Sequence, residues 1–337
     1  MAERDLIQQL DRAAGAMLAG AGEPSPGAGA GPEVTELLRI AAMVRDLPAE
    51  EFRARLKREV MARALEKGKE EEKQTMTTTT TWIREGFHSI TPYLLAPSSA
   101  RLMDFLKQAF EGEEMLRVPR PDGTIMHAQL RIGDSMIEMG EDPPPPFGVQ
   151  PTALHLYVKD ADAVYRRALE AGATSTHEPV DQPYGDREAS VKDPAGNFWY
   201  IATNIAKDRG GRYVPEGLHS VTPFLHPHGA PALIDFLKRA FGAEEVSRHE
   251  APAGTVMHAM VRIGDSMIEM GEAHGQWQPL PCSLHLYVPN VDEMYRRAMD
   301  AGATSINPPA DQPYGDRAAG VIDPHGNRWY LATALGA

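Results

Sequence analysis

The chain is poor in cysteine, since Cys282 is the single thiol among its 337 residues. An intrachain disulfide is therefore impossible, and a protein without disulfides suits a reducing compartment. Long hydrophobic runs are also missing, because no apolar stretch approaches the roughly 20 residues that a membrane-spanning helix needs. The first residues are charged and contain no apolar signal-peptide core. From these absences we expect a cytoplasmic protein with no membrane partner.

Positive charge is in short supply as well. The 34 Lys and Arg residues are outnumbered by 47 Asp and Glu residues, which gives a formal net charge of −13. Binding to nucleic acid relies on basic side chains that neutralise phosphates, so this composition argues against a nucleic-acid partner. The hydrophobic fraction of 42% and the charged fraction of 24% are normal for a globular protein that buries a core.

What the chain does contain is one long stretch that occurs twice. The first copy runs from Gly86 to Asn204 and opens GFHSITPYL, and the second runs from Gly217 to Ala334 and opens GLHSVTPFL. The agreement continues through RIGDSMIEMGE, DQPYGDR and a DP-x-GN-x-WY motif near each end. A repeat of this length is too long for a solenoid unit and predicts two ordinary domains, which we place at residues 86–206 and 207–337.

Residues 1–85 precede the repeats and differ from them in character. Segments with helical periodicity are joined by a Gly/Pro-rich linker over 21–32, and the Thr-rich run 75–81 leads into the first repeat. We expect a helical and low-complexity extension with linkers. Residues 1–73 are either a solvated helical arm or a segment that docks a protein partner, and the sequence leaves both interpretations open.

The spacing of apolar residues predicts the order β-α-β-β-β twice in each repeat. A helix over 98–110 has Ser98 or Ser99 as its N-cap, and Gly172 ends a second helix at 160–171. Strands of the first repeat are expected at 90–95, 115–118, 124–132, 135–140, 154–158, near Thr174, near Ser190 and at 198–202. A proline run at 143–146 separates the two modules, so the chain should contain four modules.

These modules, with the motifs TPYL, HAxLRIGDS, LHLYV, YGDR and DP-x-GN-x-WY-x-AT, resemble the vicinal oxygen chelate superfamily. This is the glyoxalase, bleomycin-resistance and extradiol dioxygenase group, and its PhnB-like branch is the most similar. The resemblance covers residues 86–334 and implies an α+β fold, with two βαβββ modules per domain forming curved mixed-sheet cups. It also implies a small-molecule ligand and an internal pseudo-dimer of the two domains. Whether modules pair within or between repeats stays open.

Alternation along the strands sorts their side chains into two faces, independently of any family. In ALHLYV, Leu154 and Leu156 face a covering helix, so His155 faces the opposite side. The same rule predicts a ligand-binding lining in each repeat. The first lining is Tyr93, His127, Glu138, His155 and Tyr200, and the second is Phe224, His258, Glu269, His285 and Tyr330.

Two carboxylates in this lining are the candidate catalytic residues. Glu138 and Glu269 each lie in an apolar MIEMG strand, where a charge is costly unless it is paired. The alternative is that they lie at an exposed strand edge. The histidines are either ligands or satisfied structural residues, and the tyrosines either contact a ligand or only fill the cup.

The resemblance also raises the question of a metal. The family's ligand positions correspond to Thr91, Glu138, Ala153 and Tyr200, and then to Thr222, Glu269, Ser283 and Tyr330. Only the glutamate survives in each copy. Glu138 with His155, and Glu269 with His285, remain as candidate metal ligands, and His88 or His127 would supply a third in the first copy. We therefore expect either no cofactor or one divalent ion of Ni, Zn, Mn or Fe per domain.

Two functions from different classes fit this pattern. A metal-free small-molecule-binding protein is favoured because most ligand positions are lost while Tyr93, Tyr200 and Trp277 remain. The alternative is a metal-dependent lyase or isomerase of the glyoxalase type, or a related dioxygenase, with Glu138 and Glu269 as ligands or bases. A regulatory or scaffold role through residues 1–73 is a third possibility.

Two further features of the repeats have structural interpretations. Arg187 and Arg317 in the YGDR motif either bind an anion or pin their loop through Asp186 and Asp316, and we favour pinning. Cys282 stands where the first repeat has threonine, so we expect it to be structural rather than a nucleophile.

Overall fold

Sixteen strands and four helices make up the part of the chain that the structure describes, in the predicted order β-α-β-β-β four times over. This computed structural model describes residues 82–335 except 142–147, 150, 207–209, 252–253 and 276–277. The expectations for residues 1–81, including a docking segment at 1–73, lie outside the described residues, as do those for the proline run and for Trp277.

The four modules have closely matching elements. The first repeat consists of β1 (Ile90–Ala96), α1 (Ser99–Phe110), β2 (Glu113–Pro119), β3 (Ile125–Ile132), β4 (Ser135–Glu141), β5 (Ala153–Tyr157), α2 (Ala161–Glu170), β6 (Thr174–Asp181), β7 (Asp186–Lys192) and β8 (Phe198–Asn204). The second consists of β9 (Val221–Leu225), α3 (Ala230–Phe241), β10 (Glu244–Glu250), β11 (Val256–Ile263), β12 (Ser266–Met270), β13 (Ser283–Tyr287), α4 (Val291–Asp300), β14 (Thr304–Asp311), β15 (Asp316–Ile322) and β16 (Arg328–Ala334).

Local signals fix the ends of the helices. The side chain of Ser98 caps α1 by accepting a hydrogen bond from the backbone N–H of Arg101, which confirms the predicted N-cap. Asp160 caps α2 in the same way, and Gly172 follows that helix with a φ of 100°. Such a left-handed conformation suits glycine, so the predicted helix end is confirmed as well.

The strands form two curved sheets, and each sheet draws half of its strands from each repeat. Sheet one has the order β14-β15-β16-β13-β1-β4-β3-β2, and sheet two has the order β10-β11-β12-β9-β5-β8-β7-β6. At the centres, β1 pairs antiparallel with β13, and β5 pairs antiparallel with β9. The modules therefore pair between the repeats, which decides what the sequence left open. The expected α+β fold with mixed sheets is confirmed.

Each repeat nevertheless buries its own hydrophobic core. In the first repeat α1 and α2 pack together over the sheets, around the fully buried Trp199, and Val221 is the one member from the other repeat. In the second repeat α3 and α4 pack around the fully buried Trp329, joined by Ile90. The repeats thus share sheets but hardly share cores. Within the described residues, no helix is long and apolar enough to cross a membrane.

The DP-x-GN-x-W motif shapes the turn before the last strand of each repeat. Asp193 accepts hydrogen bonds from the backbone N–H groups of Ala195 and Asn197, from the Asn197 side chain, and from the indole of Trp199 at 3.0 Å. Asp323 makes the equivalent bonds in the second repeat. Because these partners satisfy a buried carboxylate, the motif is structural.

The arginines of the YGDR motif have the structural role that we favoured, but they form ion pairs with other aspartates than the predicted ones. Arg187 binds Asp162 with its Nε and Nη2 atoms and binds Asp181 at 2.8 Å, and Arg317 holds the corresponding aspartates of the second repeat. The expectation that Asp186 is the partner is wrong, because that carboxylate is turned inward and accepts a hydrogen bond from the Tyr157 hydroxyl at 3.0 Å. The predicted structural role of the single cysteine agrees with its complete burial.

Candidate functional site

The face of sheet one opposite the helices, which we call cup one, gathers residues from both repeats. Glu138 on β4 lies beside Tyr93 on β1, and Thr91 on β1 faces His285 on β13. His285 in turn lies beside Tyr330 on β16. These side chains point away from the helices, because their neighbours along each strand belong to the hydrophobic cores.

The same face of sheet two, which we call cup two, repeats this arrangement with the contributions of the repeats exchanged. Glu269 on β12 lies beside Phe224 on β9, and Thr222 on β9 faces His155 on β5. His155 lies beside Tyr200 on β8. The chain therefore has two related candidate sites, and each needs both repeats.

The structure places the predicted lining residues in the two cups, but in different combinations from the predicted ones. Cup one contains Tyr93, His127, Glu138, His285 and Tyr330, and cup two contains His155, Tyr200, Phe224, His258 and Glu269. The expectation that Glu138 and His155 share one site is wrong, because they belong to different sheets. The physical reason is that the central strand pairs join modules of opposite repeats.

Each cup is centred on a glutamate–histidine pair that joins the two repeats. In cup one the Nδ1 atom of His285 lies 2.6 Å from Oε2 of Glu138. In cup two the Nδ1 atom of His155 lies 3.0 Å from Oε2 of Glu269. Both glutamates are 3% exposed, so the alternative of an exposed strand edge is wrong. A buried carboxylate needs a partner, and the histidine of the other repeat provides it.

The surroundings of the pair in cup two favour its ionised form. Burial favours the neutral acid, but the charge of His155 and its hydrogen bond outweigh burial and lower the pKa of Glu269 to about 2. Burial also disfavours the imidazolium, yet Glu269 and Glu188 together raise the pKa of His155 to about 10. In cup one, His285 similarly outweighs burial and lowers the pKa of Glu138. A histidine held charged in this way is a fixed hydrogen-bond donor rather than a base at neutral pH.

A second histidine approaches each glutamate from the neighbouring strand. In cup one, Nε2 of His127 lies 3.7 Å from Oε1 of Glu138, and the side chain of Gln129 donates to the same oxygen at 3.3 Å. In cup two, Nε2 of His258 lies 3.4 Å from Oε2 of Glu269. Burial lowers the pKa of His127, so this imidazole is neutral at neutral pH. The glutamate thus sits between two imidazoles in each cup.

Aromatic rings from both repeats flank these pairs. The ring centroids of Tyr93 and Tyr330 are 5.1 Å apart in cup one, and those of Tyr200 and Phe224 are 5.2 Å apart in cup two. All four rings are half-buried, which leaves part of each surface open to the cup. The Tyr200 hydroxyl lies 3.0 Å from Nε2 of His226. Each cup therefore combines an apolar, aromatic wall with a few fixed polar groups, which is the composition of a small-molecule site.

The predicted linings lacked several residues that the structure places at the cups, among them Glu188, His226 and Arg84. Strand alternation contained the signal for the first, since Ala189 and Val191 belong to the core and Glu188 must face the other way. Alternation would also have found His226, which lies two residues after Phe224. Arg84 precedes the first strand, where no periodicity exists to reveal it.

The geometry of the cups does not fit the metal site that the resemblance implied. The family's ligand positions in cup one are Thr91, Glu138, Ser283 and Tyr330, and those in cup two are Thr222, Glu269, Ala153 and Tyr200. In the part of the chain that is described, neither cup brings three His, Cys, Asp or Glu ligand atoms within 4.8 Å of one another. A zinc-like ion needs its ligands at about 2.0–2.3 Å from one point, so these side chains as placed do not hold one.

Among the residues that the structure describes, one group of three potential ligands does occur, where the two repeats meet: His88, His219 and Asp265. The two imidazoles stack with their centroids 3.5 Å apart. Nε2 of His88 bonds the backbone carbonyl of Asp134, and Nε2 of His219 bonds that of Asp265, both at 3.0 Å. Nδ1 of His88 lies 3.2 Å from the Asp265 carboxylate. Both nitrogens of His88 are thus engaged, so we interpret these four residues as a clasp between the repeats.

A protein-family model and several solved structures match this chain. The model of the Glyoxalase/Bleomycin resistance protein/Dioxygenase superfamily matches residues 86–201 and 229–331. Among solved structures, glyoxalase I from Zea mays is similar with a TM-score of 0.53 and 15% identity, over 72% of this chain and 92% of that one. At this identity the likeness concerns the fold alone.

Several curated relatives match parts of the chain. An uncharacterized protein of Mycobacterium bovis is 38% identical over 127 residues, which is 35% of this chain and 84% of the relative. The anthracycline biosynthesis protein DnrV of Streptomyces peucetius is 29% identical over 179 residues, which is 50% of this chain and 60% of that protein. The mycobacterial match corresponds to the length of one repeat, so that relative resembles half of the duplicated region.

Proposed function

Because the chain belongs to the Glyoxalase/Bleomycin resistance protein/Dioxygenase superfamily, we propose that it is a small-molecule-binding protein whose two cups take ring-shaped ligands without a resident metal. The observation that carries this proposal is the glutamate–histidine pair in each cup. Glu138 and Glu269 are bonded to His285 and His155, at 2.6 and 3.0 Å respectively. The side chains that would have to bind an ion bind each other instead.

Binding would depend on two properties of the cups. The half-buried rings of Tyr93 and Tyr330, and of Tyr200 and Phe224, offer apolar surface against which a planar ligand is removed from water. The imidazole of each pair is held in place by its carboxylate and offers a second ring nitrogen for orientation. Rigid polar groups within an apolar wall give specificity at little entropic cost.

One curated relative supports an aromatic ligand, because it is named for anthracycline biosynthesis and anthracyclines are planar aromatic compounds. The PhnB-like placement, the cytoplasmic location and a docking role for residues 1–73 remain predictions from the sequence.

Two measurements on the purified protein test the proposal. In a thermal-shift screen of planar aromatic compounds, binders should raise the melting temperature. Tyr330→Leu and Tyr200→Leu should each remove one ring from one cup and reduce the shift, so each variant serves as the control for the other. A screen in which no aromatic compound shifts the wild-type transition would refute the binding function.

Elemental analysis separates this proposal from the metal-dependent alternative. The protein is incubated with Ni, Zn, Mn or Fe(II), and wild type is compared with the Glu138→Gln/Glu269→Gln double variant. We expect no stoichiometric metal in either. One or two equivalents in the wild type that disappear in a variant with the same far-ultraviolet circular dichroism as wild type would favour a glyoxalase-type lyase or isomerase. Assays on hemithioacetals and catechols would follow.

A further inference from the structure

The two cups share their glutamate–histidine pair but differ in the charges around it. The chain has Glu188, Phe198 and Pro215 where the corresponding positions of the other cup have Ala318, Arg328 and Arg84. The first three belong to the surroundings of cup two and the last three to those of cup one. At these positions cup two has an additional carboxylate, and cup one has two additional guanidinium groups. Cup two also has Lys192 where cup one has Ile322, but this ammonium group lies over the Phe198 ring, 5.4 Å from its centroid.

The additional carboxylate of cup two contacts polar groups through only one of its two oxygen atoms. Glu188 on β7 faces the cup, because the next residue, Ala189, belongs to the core. Its Oε2 atom accepts a hydrogen bond from the Tyr184 hydroxyl at 3.2 Å and lies 3.4 Å from Nε2 of His155. Among the described residues, none donates to its Oε1 atom, and 17% of the side chain is exposed. A carboxylate oxygen with spare acceptor capacity is thus available to a donor that enters the cup.

The neighbouring histidine, His155, gives a second observation that points to a bound ligand. His155 is 5% exposed, and its buried Nε2 atom has no hydrogen-bond partner, since the approach to Glu188 lacks the required geometry. Its other ring nitrogen is bonded to Glu269. A buried donor without a partner is unfavourable, and native structures rarely leave one unexplained. An acceptor oxygen on a bound molecule would satisfy it.

Cup one has positively charged guanidinium groups instead of an additional carboxylate. Asp316 is neutralised by Arg84, whose Nε atom donates to it at 3.0 Å. Arg328 on β16 alternates with the buried Trp329 and therefore faces the cup. Burial raises the pKa of the neighbouring Tyr330, and the charge of Arg328 opposes that effect. Guanidinium groups are well suited to carboxylates, which they bind through two parallel hydrogen bonds.

We propose that the two cups select ring compounds of opposite charge. Cup two takes a ligand with an ammonium group, bound by Glu188, and with an adjacent hydroxyl or carbonyl oxygen that accepts from His155. Cup one takes a ligand with a carboxylate, bound near Arg328. The inference rests on the proposed small-molecule binding and adds the charge class of each ligand. Aromatic rings around the cups favour a cation as well, but they occur in both and do not create the difference.

Three probes with one ring system and different charges test this directly. Naphthylmethylammonium, naphthylacetate and naphthylmethanol are titrated into the full chain by calorimetry at neutral pH. Glu188→Ala and Arg328→Phe each install the residue of the other cup, and Ala318→Glu adds the carboxylate to cup one. Glu178→Ala, at an exposed position of the edge strand β6, removes the same charge and is the matched control.

The expected results differ by probe and by variant. Glu188→Ala should weaken binding of the ammonium probe by about tenfold or more, the value of one charge-assisted hydrogen bond, and leave the acetate probe unchanged. Arg328→Phe should do the reverse, and Ala318→Glu should add affinity for the ammonium probe. Glu178→Ala should change nothing.

The possible failures are distinguishable. If naphthylmethanol binds but Glu188→Ala and Arg328→Phe leave the charged probes unaffected, the charge selectivity is wrong and the binding function stands. If Glu178→Ala weakens the ammonium probe as much as Glu188→Ala does, the effect is the overall charge of the protein and the inference is overturned. If no probe binds, the proposed function falls as well. Unchanged naphthylmethanol affinity in each variant shows that its cup is folded.

Discussion

The Oε2 atom of Glu269, in the second repeat, lies 3.0 Å from the Nδ1 atom of His155, in the first. Both side chains are almost completely buried, and the contact crosses the centre of sheet two, where β5 meets β9. Glu138 and His285 make the reciprocal contact in sheet one. Each cup therefore depends electrostatically on both repeats, and the predictions below test that dependence.

Removing one member of such a pair should lower the stability of the protein much more than removing both members. Glu269→Gln removes the carboxylate bonded to Nδ1 of the buried His155 and leaves only Glu188 beside the imidazole. We expect the free energy of unfolding to fall by about 3 kcal/mol. The double variant Glu269→Leu/His155→Leu should recover most of that loss, because it removes both charges of the pair. Urea denaturation of the two variants and wild type measures both values. A Glu269→Gln protein as stable as wild type would show that the pair is not ionised.

The stabilisation that the Glu269–His155 pair provides should be largest in a narrow pH range and should decrease at both higher and lower pH. The pKa of His155 is raised from 6.5 to about 10, so its contribution is complete below 6.5 and is lost as the pH rises through about 10. The pKa of Glu269 is lowered from 4.5 to about 2, so its contribution is complete above 4.5 and is lost as the pH falls through about 2.

The difference in unfolding free energy between wild type and Glu269→Leu/His155→Leu should therefore be largest between pH 4.5 and 6.5. Denaturation at a series of pH values checks this. A difference that is constant across the whole range would contradict the ion pair.

The clasp between the repeats should lose strength in acid. The Asp265 carboxylate accepts from the backbone N–H of Ser89 at 2.8 Å and faces His88, and these partners outweigh burial and lower its pKa. Asp265→Asn should destabilise the protein by about 1–3 kcal/mol at neutral pH. Because a lowered carboxylate pKa stabilises only above its ordinary value, the difference between variant and wild type should shrink as the pH falls below 3.8.

Thermal melts of wild type and Asp265→Asn across this pH range test the prediction. Glu178→Gln, an exposed carboxylate elsewhere in the same unit, is the control and should show no such pH dependence. A loss that is equally large in acid would mean that the Asp265 carboxylate is not the source of the stabilisation.

A single repeat should associate with a second copy of itself. A fragment of residues 82–206 would leave β1 and β5 without the partners β13 and β9 that they have in the full chain. Since β5 and β13 have the nearly identical sequences ALHLY and SLHLY, the β5 strand of one copy can replace β13 for the other. Analytical ultracentrifugation should find a dimer. A folded monomer at micromolar concentration would contradict the shared sheets.

The sequence was sufficient to predict which side chains face the cups. Strand alternation is a local property, so the neighbours of His155 revealed its direction without any knowledge of the fold. It was also sufficient for the helix ends at Ser98 and Gly172, where the signals are chemical and local.

The pairing of the modules could not be predicted, and the error about Glu138 and His155 followed from it. Strands β5 and β13 present almost the same residues to β1, so no local preference distinguishes pairing within a repeat from pairing between repeats. The choice is made by tertiary packing of the whole unit. Arg84 was missed because it precedes the first strand, where no alternation reveals its direction, whereas alternation along β7 did contain the signal for Glu188.

The fusion of the two repeats has a consequence for how this protein can diversify. In a dimer of identical single repeats, every substitution appears in both cups, because symmetry copies it. In the fused chain, β7 belongs to cup two and its counterpart β15 belongs to cup one, so Glu188 is present in one cup without its counterpart Ala318 having to change. Duplication within one chain thus allows the two cups to evolve different specificities while the sheets keep them permanently together.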